Sequence, residues 1–257
     1  MNFITIIPSR YGSSRFPGKP LADICGKPMI QRVYEQAKKA MEDVWVATDD
    51  ERIYEAVTAF GGNVVMTSIN HQSGTDRCAE AVKKAAAVTG KHYDVVVNVQ
   101  GDEPFMQPDQ IELVMDCFQK DPTTEIATLI QPILNNEDIF RPDMVKVVLD
   151  HQSNAIYFSR SPIPYQVGVE QSKWNENLTY YGHIGLYAYR TDILEKLTSL
   201  PKSSLEKSES LEQLRWLENG FKIKTGITHY DSFGIDTPED LRKVIEEGIE
   251  KYYGVNG

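Results

Sequence analysis

Three cations, Arg10, Arg15 and Lys19, sit among glycines and serines in the run Pro8-Ser-Arg-Tyr-Gly-Ser-Ser-Arg-Phe-Pro-Gly-Lys-Pro20. That mixture suits a polyphosphate. Gly12 and Gly18 let backbone N–H groups approach phosphate oxygens, Ser13 and Ser14 add hydroxyl donors, and the cations offset the negative charge. The first 32 residues hold five Lys or Arg and one acid, in a chain that is otherwise acidic. The Gly-x4-Gly-Lys-Ser/Thr spacing of a P-loop is absent, and no Gly-x-Gly-x-x-Gly follows the first apolar run, which argues against hydride transfer on a dinucleotide. A solvated loop of turn formers has the same composition, so this segment alone leaves both readings open.

A second segment, Asn98-Val-Gln-Gly-Asp-Glu-Pro104, places Asp102 directly after an apolar run, with Gly101 allowing a tight turn. Magnesium prefers hard oxygen ligands and takes one or two protein carboxylates plus phosphates and water, so one Asp suffices to anchor it. The alternative is a turn whose Asp caps the backbone after it. Asp236, in Gly234-Ile-Asp-Thr-Pro-Glu-Asp240, is a possible second carboxylate, or an acid that serves the dipole of the helix behind it. The segment His71-Gln-Ser-Gly-Thr-Asp-Arg77 offers hydroxyls, Gly74 and Arg77 at a helix start, either to read a base edge or to cap that helix.

The elements that must position these groups follow from periodicity. Strands are expected at Phe3 to Ile7, Val44 to Ala47, Asn63 to Met66 and Val95 to Val99. Helices are expected near Met29 to Ala40, Glu51 to Phe60 and Thr75 to Ala87. This βαβ rhythm predicts an α/β fold on a mostly parallel, Rossmann-like central sheet with flanking helices. Val95 to Val99 is apolar on both pleat faces, as in a central strand covered on both sides. Ligands of open α/β sheets lie beyond the carboxyl ends of strands, which directs attention to the loops after Ile7 and Val99.

The second half departs from that rhythm. Strand-like runs at Val145 to Leu149, Ile156 to Phe158 and His183 to Tyr189, with the turn Ser161-Pro-Ile-Pro164 between them, predict an inserted, smaller antiparallel lobe. Residues 1–257 form one domain in this reading. Its core is 1–131 with 220–257, and the lobe is 132–219. Gln166 to Asn177 is polar and aperiodic, which predicts a mobile loop able to cover a site. Helices near Glu209 to Asn219 and Thr237 to Tyr252 close the chain, the latter with Thr237, Pro238 and Asp240 as its N-terminal signature.

Composition excludes several classes. A chain of 257 residues that is 41% apolar and 25% charged can bury a sizeable core. A net charge of −10 is unsuited to a nucleic-acid surface. The apolar run Phe3 to Ile7 is too short for a signal-peptide core or a membrane span, so a cytoplasmic protein without membrane contact is expected. Cys25, Cys78 and Cys117 are odd in number and widely spaced, and are read as small buried hydrophobes rather than a disulfide framework or zinc site.

Taken together, segments 8–20, 71–77, 98–104 and 234–240 resemble, in order and spacing, the CMP-KDO synthetases, the 3-deoxy-manno-octulosonate (KDO) cytidylyltransferases. Val145-Lys-Val-Val148, Tyr157-Phe-Ser-Arg-Ser-Pro-Ile-Pro164, His183-Ile-Gly-Leu-Tyr187 and Ser210-Leu-Glu-Gln-Leu-Arg215 extend the similarity over nearly the whole chain, in the pattern of the capsule-associated members. The resemblance implies a nucleotidyltransferase that makes CMP-KDO and pyrophosphate from CTP and KDO for lipopolysaccharide or capsule. It implies Mg²⁺ on Asp102 and Asp236, with Arg10 and Lys19 completing the catalytic set. Arg10, Ser13 and Lys19 would hold the phosphates, and Ser73, Gly74, Arg77 and Gln100 would surround the cytosine and ribose. Arg160, His183, Tyr187, Glu212 and Gln213 would meet the sugar. A guanidinium such as that of Arg160 matches a carboxylate fork. A homodimer formed through the lobe is implied as well. One position departs from the family, Gly182 standing where Lys or Arg usually precedes the histidine. That keeps a different acidic sugar open, such as 8-amino-KDO or a sialic-acid-like acceptor. A catalytically idle nucleotide-binding homologue is the remaining alternative, and the joint presence of Asp102, Asp236, Arg10 and Lys19 argues against it.

Overall fold

In a computed structural model describing residues 1–12, 15–231 and 233–253, the alternation of apolar runs and amphipathic stretches forms one nine-stranded sheet between two layers of helices. The elements in chain order are β1 (Phe3–Ser9), a short hairpin of β2 (Asp23–Ile24) and β3 (Lys27–Pro28), α1 (Met29–Ala40), β4 (Val44–Thr48), α2 (Glu51–Ala59), β5 (Asn63–Met66), α3 (Gly74–Thr89) and β6 (Val95–Asn98). Then come α4 (Pro108–Lys120), β7 (Ile126–Pro132), β8 (Lys146–Leu149), β9 (Ala155–Ser159), α5 (Trp174–Asn177), β10 (Tyr181–Arg190), α6 (Thr191–Thr198), α7 (Ser204–Glu209), α8 (Gln213–Glu218), β11 (Ile223–Ile227) and α9 (Pro238–Glu247).

The sheet runs β11-β7-β10-β6-β1-β4-β5. Strands β6, β1, β4 and β5 pair in parallel, as the βαβ rhythm requires. Every residue of β4 and β6 is buried, which is why these strands carry continuous apolar runs rather than alternation. One face packs on α3, α6 and α8 through Cys78, Ala81, Leu194 and Trp216, the other on α1, α2 and α4 through Val33, Ile53 and Val114.

The fold class expected from the sequence is present. The placement of the antiparallel part differs in one respect. Strand β10 does not stand in a separate lobe but runs antiparallel through the middle of the main sheet, beside β7 along one edge. Along its other edge it pairs β6 at Tyr187 to Arg190 and β8 at Tyr181 and Gly182, and β9 continues outward from β8. The register slips between Ile184 and Tyr187, where the neighbour changes. A bulge there bends the strand and leaves a gap between β6 and β8. The carbonyls of Ile184 and Leu186 are met by Oγ1 of buried Thr128 at 3.2 and 2.8 Å.

Three further expectations are corrected. Residues 166–177 do not form a free loop. Trp174 is 1% exposed and stacks on Tyr180, and Gln166 Nε2 donates to the Trp174 carbonyl at 2.7 Å. A single indole supplies the anchor that the polar composition hides. Cys25 is exposed, unlike Cys78 and Cys117, because it turns the β2–β3 hairpin. The last helix stops at Glu247, and a separate 3-10 turn follows at Ile249–Tyr252.

Candidate active site

The carboxyl ends of β1 and β6 open into a cleft of about 330 Å³ lined by Arg10, Arg15, Lys19, Ser73, Gly74, Arg77, Gln100, Asp102 and Asp236, among others. Local sequence explains each placement. Beyond β1 the chain turns at Gly18, whose φ of +73° suits glycine and whose α-hydrogen faces the Tyr11 ring, where a Cβ would lie 3.0 Å from the hydroxyl oxygen. The short 3-10 helix Lys19–Leu21 starts there and brings Lys19 under the cleft. Beyond β6, Gly101 passes so close to β1 that a Cβ would stand 2.9 Å from the Pro8 carbonyl oxygen. The turn therefore presses Asp102 against the cradle.

Asp236 arrives from the other end of the chain. Ile235 and Phe105 are buried in one small core with Ile24, Met29 and Val244, and Ile235 N donates to the Asp102 carbonyl at 2.9 Å. Thr237 caps α9 in a reciprocal capping box with Asp240. Asp240 Oδ2 also takes the Asp236 N–H at 3.0 Å, which fixes the backbone that presents the Asp236 carboxylate.

Between the two carboxylates lies one ammonium. Lys19 Nζ is 2.6 Å from Asp102 Oδ2 and 3.1 Å from Asp236 Oδ1, and Arg15 Nη1 is 3.1 Å from Asp236 Oδ2. Two acids held this close need a cation, and the pair already accommodates one. That arrangement fits a divalent ion, which needs only one or two protein carboxylates when phosphates and water complete its shell. Among the described residues no cluster of three or more His, Cys, Asp or Glu offers a fuller cage.

The end of the cleft expected to meet the base is the start of α3. Ser73 is its N-cap, with Oγ accepting from Asp76 N, and Gly74 is its first residue. Arg77 reaches the same wall but is 4% exposed, and its guanidinium is bound to Asp49 Oδ2 at 2.7 Å and to Thr67 Oγ1 at 2.5 Å. Its charge is spent within the fold, tying α3 to the ends of β4 and β5. Ser13, expected on the phosphates, lies outside the described residues.

The residues expected on the sugar form a second group around β10. The rings of His183 and Tyr187 stand 5.3 Å apart, and Trp216 meets Tyr187 edge-on. Glu212 and Gln213 open α8, where Thr75 Oγ1 donates to Glu212 Oε2 at 2.9 Å and so joins this group to the base end of the cleft. Burial raises the pKa of Glu212. Tyr187 Oη and Gln213 Nε2 are buried and have no hydrogen-bond partner among the described residues. Such atoms call for a polar ligand or water. Arg160 ends β9 apart from the cleft, its Nε donating to the Glu209 carbonyl at 2.7 Å and Nη1 to the Pro142 carbonyl at 3.0 Å.

His183 is neutral at physiological pH, since burial brings its pKa down to about 4. Its Nε2 lies 3.1 Å from Thr128 Oγ1, whose single hydrogen is already directed to the Leu186 carbonyl. With that hydrogen on the Leu186 carbonyl, the neutral ring pairs with Thr128 by donating from Nε2. Gly182 looks the other way. A Cβ there would meet Met144 and Ile133 at 3.4 to 3.6 Å, on the face of the strand opposite His183.

Sequence reasoning counted Arg15 among the cradle cations without joining it to Asp236, and it overlooked Thr128 and Glu209. Thr128 sits in an apolar strand where a lone hydroxyl was a readable signal. Glu209, whose Oε1 accepts from Ser159 Oγ at 2.6 Å and Oε2 from Arg160 N at 2.9 Å, gave none, because its partners are about fifty residues away.

A profile of the family described as Cytidylyltransferase matches residues 4–223. The 3-deoxy-manno-octulosonate cytidylyltransferases of Parabacteroides distasonis and Phocaeicola vulgatus are each 58% identical to this chain, covering 95% of it in both cases and 97% and 96% of their own lengths. A solved structure of CMP:2-keto-3-deoxy-manno-octonic acid synthetase complexed with CTP is 44% identical, covers 98% of this chain and 100% of its own, and superposes with a TM-score of 0.88. The chain belongs to the cytidylyltransferase family, among its 3-deoxy-manno-octulosonate members.

Proposed function

We propose that this chain joins the CMP moiety of CTP to KDO and releases pyrophosphate, supplying an activated sugar for bacterial surface polysaccharide. The observation that carries this reading is the convergence of Arg10, Lys19, Asp102 and Asp236, drawn from both ends of the chain, on one cleft beyond β1 and β6. Its likeness to a synthetase complexed with CTP supports the nucleotide, and the names of its relatives support the sugar. The anomeric hydroxyl on C2 of KDO gives up its proton to solvent as its oxygen attacks the α-phosphorus in line. The bond from that phosphorus to the bridging oxygen breaks, and pyrophosphate leaves with the electron pair. Nucleotidyl transfer of this kind is driven by positioning and charge neutralisation, with no covalent enzyme intermediate.

Arg10, Ser13 and Lys19 hold the triphosphate, and Lys19 stays within reach of both carboxylates. Ser73, Gly74 and Gln100 shape the base and ribose end, while Arg77 acts from beneath by holding α3 against β4. Asp102 and Asp236 would hold Mg²⁺, which supplies positive charge to the phosphates when bound. His183, Tyr187, Glu212 and Gln213 line the sugar side. Arg160, oriented by Glu209, brings its cation toward the sugar carboxylate once the acceptor enters. Because Gly182 faces away from His183, its lost cation leaves the sugar face unaltered, which favours KDO over 8-amino-KDO or a sialic-acid-like acceptor.

Residues 132–219 carry the sugar-binding and dimerisation surfaces, with β10 built into the main sheet, and 1–131 with 220–257 form the nucleotide-binding core of a cytoplasmic homodimer. In support, β9 pairs only β8 in the sheet apart from the bridge at Asn154, and it exposes Ile156. No helix among the described residues is long and apolar enough to cross a membrane. The test is pyrophosphate release with CTP and Mg²⁺, run separately with KDO, 8-amino-KDO, N-acetylneuraminate and no sugar. Release with KDO alone is expected. Release with another sugar only would move the acceptor, and CTP binding without release would favour an idle homologue.

A further inference from the structure

Ser9 closes β1 at the mouth of the nucleotide cleft, between Pro8 and the cradle cation Arg10. It is 4% exposed, and its Oγ has no hydrogen-bond partner among the described residues. A buried hydroxyl left unpaired carries a desolvation penalty that nothing in the fold offsets. Alanine would fill the same place in the strand without that penalty. The hydroxyl is therefore unexplained by packing, and its residue lines the cleft. A Cβ on Gly101 would come within 3.5 Å of Ser9 Oγ, so the hydroxyl borders the turn that carries Gln100 on one side and Asp102 on the other.

That position selects a part of the ligand. Ser73, Gly74 and Gln100 line the part of the cleft proposed for the base, Lys19, Asp102 and Asp236 the part proposed for the metal and leaving group, and the Gly101 turn beside Ser9 Oγ is the seam that joins Gln100 to Asp102. In a nucleoside triphosphate laid along this cleft, the segment crossing the seam is the ribose with its α-phosphate, which presents several hydrogen-bond acceptors. We infer that Ser9 is a nucleotide-binding residue whose hydroxyl donates to a ribose or α-phosphate oxygen of the bound cytidine nucleotide. The inference rests on the proposed CTP-dependent function and adds to it a contact that tightens the nucleotide beside the reacting phosphorus.

Ser9→Ala removes only the hydroxyl. By calorimetry, CTP should bind the variant about 3- to 10-fold more weakly than the wild type, the range of a single hydrogen bond. CMP, which keeps the ribose and α-phosphate and lacks the outer phosphates, should lose the same factor. The KM for KDO at saturating CTP should not move. Thermal unfolding without ligand separates this role from a structural one, because the variant should melt no lower than the wild type while its CTP-induced rise in Tm shrinks. Equal affinity of both proteins for CTP and CMP overturns the inference while leaving the function standing. So does a weaker CTP affinity with unchanged CMP affinity, and so does a lower Tm for the unliganded variant. A wild-type protein that takes up no CTP removes the functional reading and this inference together.

Discussion

At the scale of single residues, the Asp102–Lys19–Asp236 arrangement makes opposite demands on stability and catalysis. Lys19 holds two carboxylates together at 2.6 and 3.1 Å, with its own side chain 12% exposed. Lys19→Met leaves like charges facing each other and should lower stability by about 1 kcal/mol, a modest figure because both acids are partly in water. Mg²⁺ without nucleotide should restore much of that loss in the variant and change the wild type little, which thermal unfolding with and without the ion reads. Asp102→Asn should keep the fold and lower kcat by at least about 10³-fold, the scale of removing a preorganised charge from a transition state. Near-normal turnover in that variant would refute its role. His183 gives a pH dependence of known sign. In the unfolded chain its imidazole protonates near pH 6.5, and in the folded chain only near pH 4. Between those values the unfolded state binds more protons, so this contribution is complete above pH 6.5 and fades as the pH falls toward 4. Denaturant titration from pH 6.5 to pH 5 should show the wild type losing about 1.5 kcal/mol more than His183→Gln, the full slope of about 1.4 kcal/mol per pH unit setting in once the unfolded imidazole is protonated.

At the scale of elements, what the sequence revealed depended on how locally each feature is determined. The cradle after β1 and the Asp102 turn after β6 were readable because each lies directly beyond its own apolar strand, and Met29–Ala40 was readable to its last residue because its amphipathic period is unbroken. The association of Asp236 with Asp102 stood open in the residues, and the family pattern favoured it. Its physical cause is the small core of Ile235, Phe105 and Met29, which no local period announces. Arg77 shows the limit of reading a site from residue type, since a guanidinium beside a ligand pocket proves to be satisfied by Asp49 and Thr67. Strand β10 was recognisable as a strand, but its place in the main sheet was not, because alternation says which face is buried and nothing about which neighbour pairs. The bulge within it depends on Thr128. Thr128→Val keeps the shape and deprives the Leu186 carbonyl of its donor, which should cost about 1–3 kcal/mol. Relaxation of the bulge should also raise the KM for KDO by several-fold while leaving CTP affinity unchanged. Equal effects on both substrates would mean that the bulge shapes the whole cleft rather than its sugar side.

At the scale of the whole molecule, the sheet divides its labour along β10. Along one edge of β10 its C-terminal half pairs β6, which leads to the parallel strands and the cleft, and its N-terminal half pairs β8 and through it β9, which exposes Ile156 at 59%. An edge strand with unpaired N–H and C=O groups invites pairing with another chain unless it is charged, covered or bent away. The outward face of β9 carries an isoleucine instead of a charge. A second copy of the chain is the occupant consistent with the homodimer proposed above. Ile156→Asp places a charge on that edge without touching the buried side of the strand. Light scattering at micromolar concentration should therefore give a dimer for the wild type and a monomer for the variant. Because Arg160 terminates the same strand and is oriented by Glu209, loss of the partner should also weaken KDO binding while CTP binding persists. A wild type that remains monomeric would remove β9 from the interface and leave the sugar side to be completed within one chain.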